Sequence, residues 1–431
     1  MKKLKIITIA IALALSCLGT ATASPMSLEE CLSHALAKNP ELAEAQANVE
    51  SSEAQKTLSV VARRFKLDGF ASLAYTNGIN TTSLSAQVNN EQLASRFGIT
   101  AQQLLFDAGK SHLQLSTAEK NALAAKEHFD EVKNQIIARV SDAYYNLNKA
   151  TRQKSVAQTR YDNYKDRLDL AQNFYRVGSK PKIEVTKAEA DLAKAKLGVV
   201  SSTTGEKKCQ VALAVAIGEP TLDVSASQDA LELPNEKTDR ATAIDHAMKN
   251  RQEIKSQELK LASAAANLEY KKKGQAPELY LTGGLDRSGE VYAEKGDFVE
   301  SASGWRVGAT LNVPILDGGK TRGEISLARA QLEAEKATLE KLKNEVAQEV
   351  LTACLALEEA EESIVSAREQ ERYATETHQI ARIRYKAGAG DNLEISDAIE
   401  GLSEAQNNVI NSLYNCKSAS VTLKKAMGEY K

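Results

Sequence analysis

Two stretches of the chain, Ser111 to Val177 and Glu324 to Ala387, contain neither glycine nor proline and carry one apolar rhythm. In the first it falls on Phe129, Val132, Ile136, Val140, Ala143, Leu147 and Ala150. In the second it falls on Leu339, Leu342, Val346, Val350, Ala353, Leu357 and Ala360, with identical steps of three and four. That spacing predicts a coiled-coil-like seam, and its small residues allow close packing. Gly109 to Tyr175 alone is 67 residues, a helix of about 100 Å. Asp107 and Asp317 stand just before the two stretches as N-caps, and Gly178 and Gly388 end them. Second helices follow at Ile183–Ile217 and Leu393–Met427, so each half holds a long helical hairpin. Shorter helices, Ser27 to Ala62 and Thr242 to Lys273, precede them.

Between short and long helices the period changes from 3.6 to 2. Leu67, Gly69, Ala71, Leu73 and Tyr75 alternate with Asp68, Phe70, Ser72 and Ala74. Phe97, Ile99, Ala101 and Gln103 alternate with Arg96, Gly98, Thr100 and Gln102. In the other half, Leu279, Leu281, Gly283 and Leu285 alternate with Glu278, Tyr280, Thr282 and Gly284. Trp305, Val307, Ala309, Leu311 and Val313 alternate with Gly304, Arg306, Gly308, Thr310 and Asn312. Near-ten-residue segments with one apolar face are the transmembrane β signature. A small soluble sheet covered on one face gives the same pattern. The links Thr76 to Ser95 and Asp286 to Ser303 are polar and long, as extracellular loops are. Four strands cannot close a membrane barrel, and open edges cannot face lipid. Membrane strands here therefore require several chains, and a conducting pore favours three chains and twelve strands over two chains and eight.

The halves are copies. Leu105–Lys110 returns as Ile315–Lys320, Tyr175–Gly178 as Tyr385–Gly388, and Ala216–Glu219 as Ala426–Glu429, each at an offset of 210. The division expected is a signal peptide over 1–23, a first repeat over 24–236 and a second over 237–431. Lys2, Lys3 and Lys5, the apolar run Ile6 to Leu15 and the small-residue site Ala21-Thr-Ala23 form that signal. Cys17 offers a competing lipidation site. Losing three lysines takes the formal charge from −2 to −5, which argues against a nucleic-acid partner. Cys31, Cys209, Cys354 and Cys416 are scattered, without metal-ligand spacing or a deducible disulfide framework. His34 and His246 are repeat-related and read as structural. No nucleophile–base pair, phosphate loop or metal cluster appears, so neither an enzyme nor a cofactor is expected.

The chain resembles the TolC family of outer-membrane efflux and secretion channels over essentially its whole mature length. The resemblance rests on the Asp317-Gly-Gly-Lys320 turn after Pro314, the Tyr-x-x-Gly tips at 175–178 and 385–388, and the Ala37-Lys-Asn-Pro-Glu-Leu42 opening. It implies an α+β membrane protein: a homotrimer with a twelve-stranded β-barrel in outer-membrane lipid, continued by a twelve-helix periplasmic tunnel. It also implies partners, a periplasmic adaptor (membrane fusion) protein and an inner-membrane transporter of RND or ABC type. The work implied is tripartite efflux or type I secretion.

On this sequence the family's acidic constriction falls on Glu394 and Asp397, with Asp391 nearby; the same carboxylates also suit a helix N-terminus. The entrance latch falls on Tyr385, which reads equally as a hairpin-packing residue. The latch's basic partner falls on Gly390, with Arg382, Arg384 and Lys386 as substitutes. Gly178 and Gly388 mark the adaptor-docking tips and are also ordinary turn glycines. Leu104 stands where Pro314 stands in the second copy. The alternative class is a periplasmic coiled-coil adaptor or scaffold without a pore, for which the four strands would have no use.

Overall fold

The computed structural model describes residues 25–61, 63–80, 88–226, 239–292 and 298–430. The signal segment, Cys17 and the centres of the two polar links lie outside the described residues. In chain order the elements are β1 (Pro25–Met26), α1 (Leu28–Lys38), α2 (Pro40–Val61), β2 (Lys66–Asn80), β3 (Val88–Phe106), α3 (Lys110–Arg176) and α4 (Lys182–Ile217). There follow β4 (Ser225–Ala226), α5 (Arg240–Asn250), α6 (Gln252–Lys272), β5 (Glu278–Tyr292), β6 (Phe298–Asn312), α7 (Lys320–Lys386) and α8 (Asn392–Met427). The order helix, helix, strand, strand, long helix, helix thus occurs twice. No described helix is long and apolar enough to cross a membrane. The chain forms two compact units, one of residues 47–127 and 255–341, the other of the remainder.

The first unit carries one antiparallel sheet in the order β2-β3-β5-β6. Its register aligns Gly69, Ile99, Leu285 and Trp305 in one row and Leu67, Ala101, Gly283 and Val307 in the next. Directly opposed residues share a face, so all four sequence-predicted apolar sets lie together. That face is bare within the chain: Leu73 is 70 % exposed, Trp305 77 % and Val307 68 %. The other face carries the polar sets, with Asp286 bridging Arg96 and Arg306 at 3.3 Å each. Gly98 is required where β3 meets β5, since a Cβ there would come within 2.4 Å of the Leu285 carbonyl oxygen. The strands overrun their expected ends. β2 reaches Asn80 and β3 starts at Val88, while β5 reaches Tyr292 and β6 starts at Phe298. The supposed loops 76–95 and 286–303 are thus largely strand, because polar side chains do not interrupt a ladder whose hydrogen bonds are all backbone.

Each expected short helix is in fact two. The first breaks at Asn39 (ψ 124°), because the proline that follows excludes the α conformation there. The second breaks at Arg251 (ψ 128°) without a proline. Instead its guanidinium is 6 % exposed and pairs with Glu253 at 2.9 Å and Glu349 at 2.5 Å. These breaks explain the repeated Ala-x-Gly-Glu motif. Gly218 and Gly428 end α4 and α8 in the left-handed region. A Cβ on Gly218 would stand 2.9 Å from Asn39 Cα, and one on Gly428 would stand 3.2 Å from Arg251 Cα.

The long helices follow the predicted seam. Ile136, Val140, Leu147, Val346 and Val350 are at most 1 % exposed. Asp107 and Asp317 do cap them, accepting the Ser111 amide at 2.7 Å and the Thr321 amide at 2.9 Å. His246 Nδ1 lies 3.2 Å from the Met427 carbonyl, a structural contact. The four described cysteines are free.

Candidate functional site: the hairpin tips

Both tips are built by the same chemistry. At the first, the Gly178 amide donates to the Tyr175 carbonyl at 3.0 Å and the Ser179 amide to that of Phe174 at 2.9 Å. At the second, the Gly388 amide donates to Tyr385 and the Ala389 amide to Arg384, each at 3.0 Å. Gly178 (φ 76°) and Gly388 (φ 73°) hold the left-handed conformation that closes such a turn. Both are exposed, and a Cβ on either would meet nothing within 4 Å. Conformation, not space, selects glycine at these two positions.

Gly390 is different. Its amide donates to the Arg384 carbonyl at 3.0 Å, and a Cβ there would lie 2.8 Å from the Tyr385 amide nitrogen. A side chain there would have to push this backbone aside, which accounts for glycine at the position where the family's basic latch partner falls. Lys180 of the first tip instead donates to the Gly390 carbonyl at 3.4 Å.

The remaining predicted residues separate into distinct roles. Tyr385 is 2 % exposed and meets Phe174 edge-to-face at 5.9 Å. It belongs to a core with Tyr164, Ala381, Ile395 and Ile399, and burial pushes its phenol up. Within the chain it is a packing residue. Arg382 pairs with Asp166 at 3.2 Å, and Arg384 with Glu394 at 3.3 Å, all half-exposed. Asp391 caps α8, accepting the Asn392 amide at 2.6 Å. Asp397 is exposed. The acidic pair belongs to the second tip alone: at the same offset of 210, the first tip has Glu184 and Lys187.

One buried polar link between the hairpins had no counterpart in the sequence expectations. Arg167 on α3 is 3 % exposed. Its Nε donates to Asn392 Oδ1 on α8 at 2.7 Å, and its Nη1 to Asp191 Oδ2 on α4 at 2.7 Å. Its guanidinium also lies 5.5 Å from the centre of the Tyr164 ring. Tyr164 in turn donates to Glu400 on α8 at 3.0 Å, and Arg160 pairs with that carboxylate. One available signal was an arginine in a helix seam three residues from an aromatic. Its partners, more than 20 and 200 residues away, carried none.

Comparison with known proteins fits this architecture. The model of the outer membrane efflux protein family matches residues 31–219 and 243–429. The cation efflux system protein CusC of Escherichia coli K12 is 23 % identical over 407 residues, covering 92 % of this chain and 85 % of its own. Nodulation protein T of Rhizobium leguminosarum bv. trifolii is 23 % identical over 333 residues, covering 75 % and 69 %. The Campylobacter jejuni CmeC outer membrane channel superposes with a TM-score of 0.82 at 20 % identity, covering 93 % of this chain and 85 % of that one. With both halves matched by the family model, the chain belongs to the outer membrane efflux protein family.

Proposed function

We propose that three copies of this chain form a channel in the outer membrane through which a tripartite pump expels its cargo. The observation that carries this reading is the sheet. It bears a continuous exposed apolar face and a polar face, and its outermost strands, β2 and β6, lack a second neighbour among the described residues. Lipid tolerates such edges only if they are paired. Three sheets joined edge to edge give a twelve-stranded barrel with the apolar face outward and the Arg96–Asp286–Arg306 face lining water. The long hairpins then form a periplasmic tunnel, and their tips its entrance. There they meet a periplasmic adaptor, around Gly178 and Gly388, and through it an inner-membrane transporter.

In this arrangement Glu394 and Asp397 supply one acidic ring, because Lys187 stands where the first tip would need the second acid. Arg384, 3.3 Å from Glu394, holds one carboxylate of each pair, so Asp397 faces passing cations with its charge exposed. The division into a signal over 1–23 and repeats over 24–236 and 237–431 fits this reading, with export to the periplasm preceding assembly. A barrel-free scaffold would leave the apolar sheet face in water.

The test is the mass of the detergent-purified particle and its conductance in a planar bilayer. Three chains per particle and cation-selective steps, blocked by multivalent cations in wild type but not in Glu394→Ala/Asp397→Ala, are expected. A folded particle that stays monomeric and passes no current overturns the reading.

A further inference from the structure

Between α3, α7 and α8 lies a partly open cavity of about 20 Å³, enough for a single water molecule. Its polar lining is Asn163, Asp166 and Arg167 from α3 and His378, Arg382 and Tyr385 from α7; α8 contributes only apolar side chains. His378 is 8 % exposed. Among the described residues no side chain or backbone group hydrogen-bonds to its ring. Every other charge at the cavity is matched. Arg382 has Asp166 at 3.2 Å, and Arg167 has Asp191 at 2.7 Å. The cavity is thus lined by two paired arginines and one largely buried, titratable ring that no described protein group caps.

We propose that this cavity is a hydrated proton-binding site, centred on His378, that makes the packing of the second hairpin on the first labile to acid. A proton on His378 adds a positive charge beside Arg382 and Arg167, where the one lining carboxylate, Asp166, is already paired with Arg382. Separating α7 from α3 admits water and relieves it. Burial and the neighbouring Arg382 charge hold the ring's pKa below its ordinary value. The sign follows: the loosened state binds the proton more readily, so packing is fully favoured above the ordinary histidine value. It weakens as pH falls below about 6.5. Each unit of difference between the packed and loosened states is a tenfold shift toward loosening. The site is absent from the other copy, where the residue 210 positions earlier is Leu168. Acid therefore acts on one hairpin of the two. The consequence for gating rests on the channel reading above; the proton site itself does not.

The experiment compares wild type with His378→Gln in the full-length oligomer, at pH 7.5 and 5.5. Both are placed in a Glu394→Gln/Asp397→Asn background, so that the acidic pair does not respond, and Asp166 and Asp391 are common to both proteins. The readouts are backbone hydrogen-exchange protection of residues 378–400, corrected for the intrinsic pH dependence of exchange, and bilayer conductance. The expected result is a loss of protection in acid of up to about tenfold, the ceiling for one histidine over this pH range, with larger conductance steps, both absent in His378→Gln. Equal acid responses in the two proteins, or none in either, overturn the proposal. An acid-labile, His378-dependent protection without any current upholds the proton site and removes the channel reading.

Discussion

Asn392→Ala isolates the link between the two hairpins. The Arg167 guanidinium bonds to α8 through Asn392 and to α4 through Asp191, each at 2.7 Å. A hydrogen bond to a charged group contributes about 1.5–3 kcal/mol. In Asn392→Ala the buried guanidinium keeps its carboxylate, so only that one bond is lost. About 1.4 kcal/mol is tenfold, so loosened hairpins should become about 10- to 150-fold more populated. Arg167→Met should cost more, because it also removes the stacking on Tyr164, about 0.5–2 kcal/mol. It also removes the ion-pair partner of Asp191, although Ser396 still donates to that carboxylate at 3.5 Å, the side chain is 34 % exposed and water recovers much of the loss. The assay is a double-mutant cycle on hydrogen-exchange protection of the second tip, residues 385–395. A coupling of about 1.5 kcal/mol or more between positions 167 and 392 is expected. A coupling below about 0.5 kcal/mol, the level of independent sites, refutes the bridging role.

Three other outcomes follow from the same geometry. Gly390→Arg restores a basic residue where the family resemblance expects one, yet it should loosen the second tip by about 1–3 kcal/mol, the usual cost of overpacking; protection of 385–395 reports it, and a gain would contradict the steric account. Arg382→Gln removes only a half-exposed pair and should change stability by less than about 1 kcal/mol in urea unfolding. Val307→Lys, on the apolar sheet face, should destabilise the bilayer-inserted protein by about 2–4 kcal/mol. Thr310→Lys, on the polar face, should be near neutral in the same liposome unfolding assay, and equal penalties would reverse the assignment of faces.

Much of the fold was legible because it depends on short-range periodicity. The seam positions from Val132 to Leu147 and the alternation from Leu67 to Tyr75 each declare a face over a few residues. What failed was whatever local pattern does not encode. Strand ends continue through polar residues near Asn80 and Val88, since the ladder needs only backbone. The break at Arg251 depends on Glu349, 98 positions away. At the tip, Tyr385 became a core residue because Phe174 and Ile395 converge on it. Nothing within four residues of the tyrosine distinguishes that fate from an exposed latch.

The duplication makes this last point sharper, because the chain contains its own control. Tyr175 and Tyr385 occupy matching places before matching glycines, yet Tyr175 is 48 % exposed and Tyr385 is 2 % exposed. The difference lies in what each hairpin offers the other. The first hairpin supplies Tyr164, Arg167 and Phe174 as a prepared surface, and the second lays Tyr385, Asn392 and Glu400 upon it. No equivalent of Arg167 exists in the second copy, where the matching residue is Thr377. The two hairpins are therefore unequal in mechanical role, although nearly equal in sequence plan. The first is the support. The second is held to it by a shared core around Tyr164, Phe174 and Tyr385 together with a few polar bonds, and carries the acidic pair. On the proposed channel reading, a gate that opens without unfolding would use this inequality: a seam of buried aliphatic residues keeps each hairpin intact, while a compact contact of mixed aromatic and polar groups joins the two.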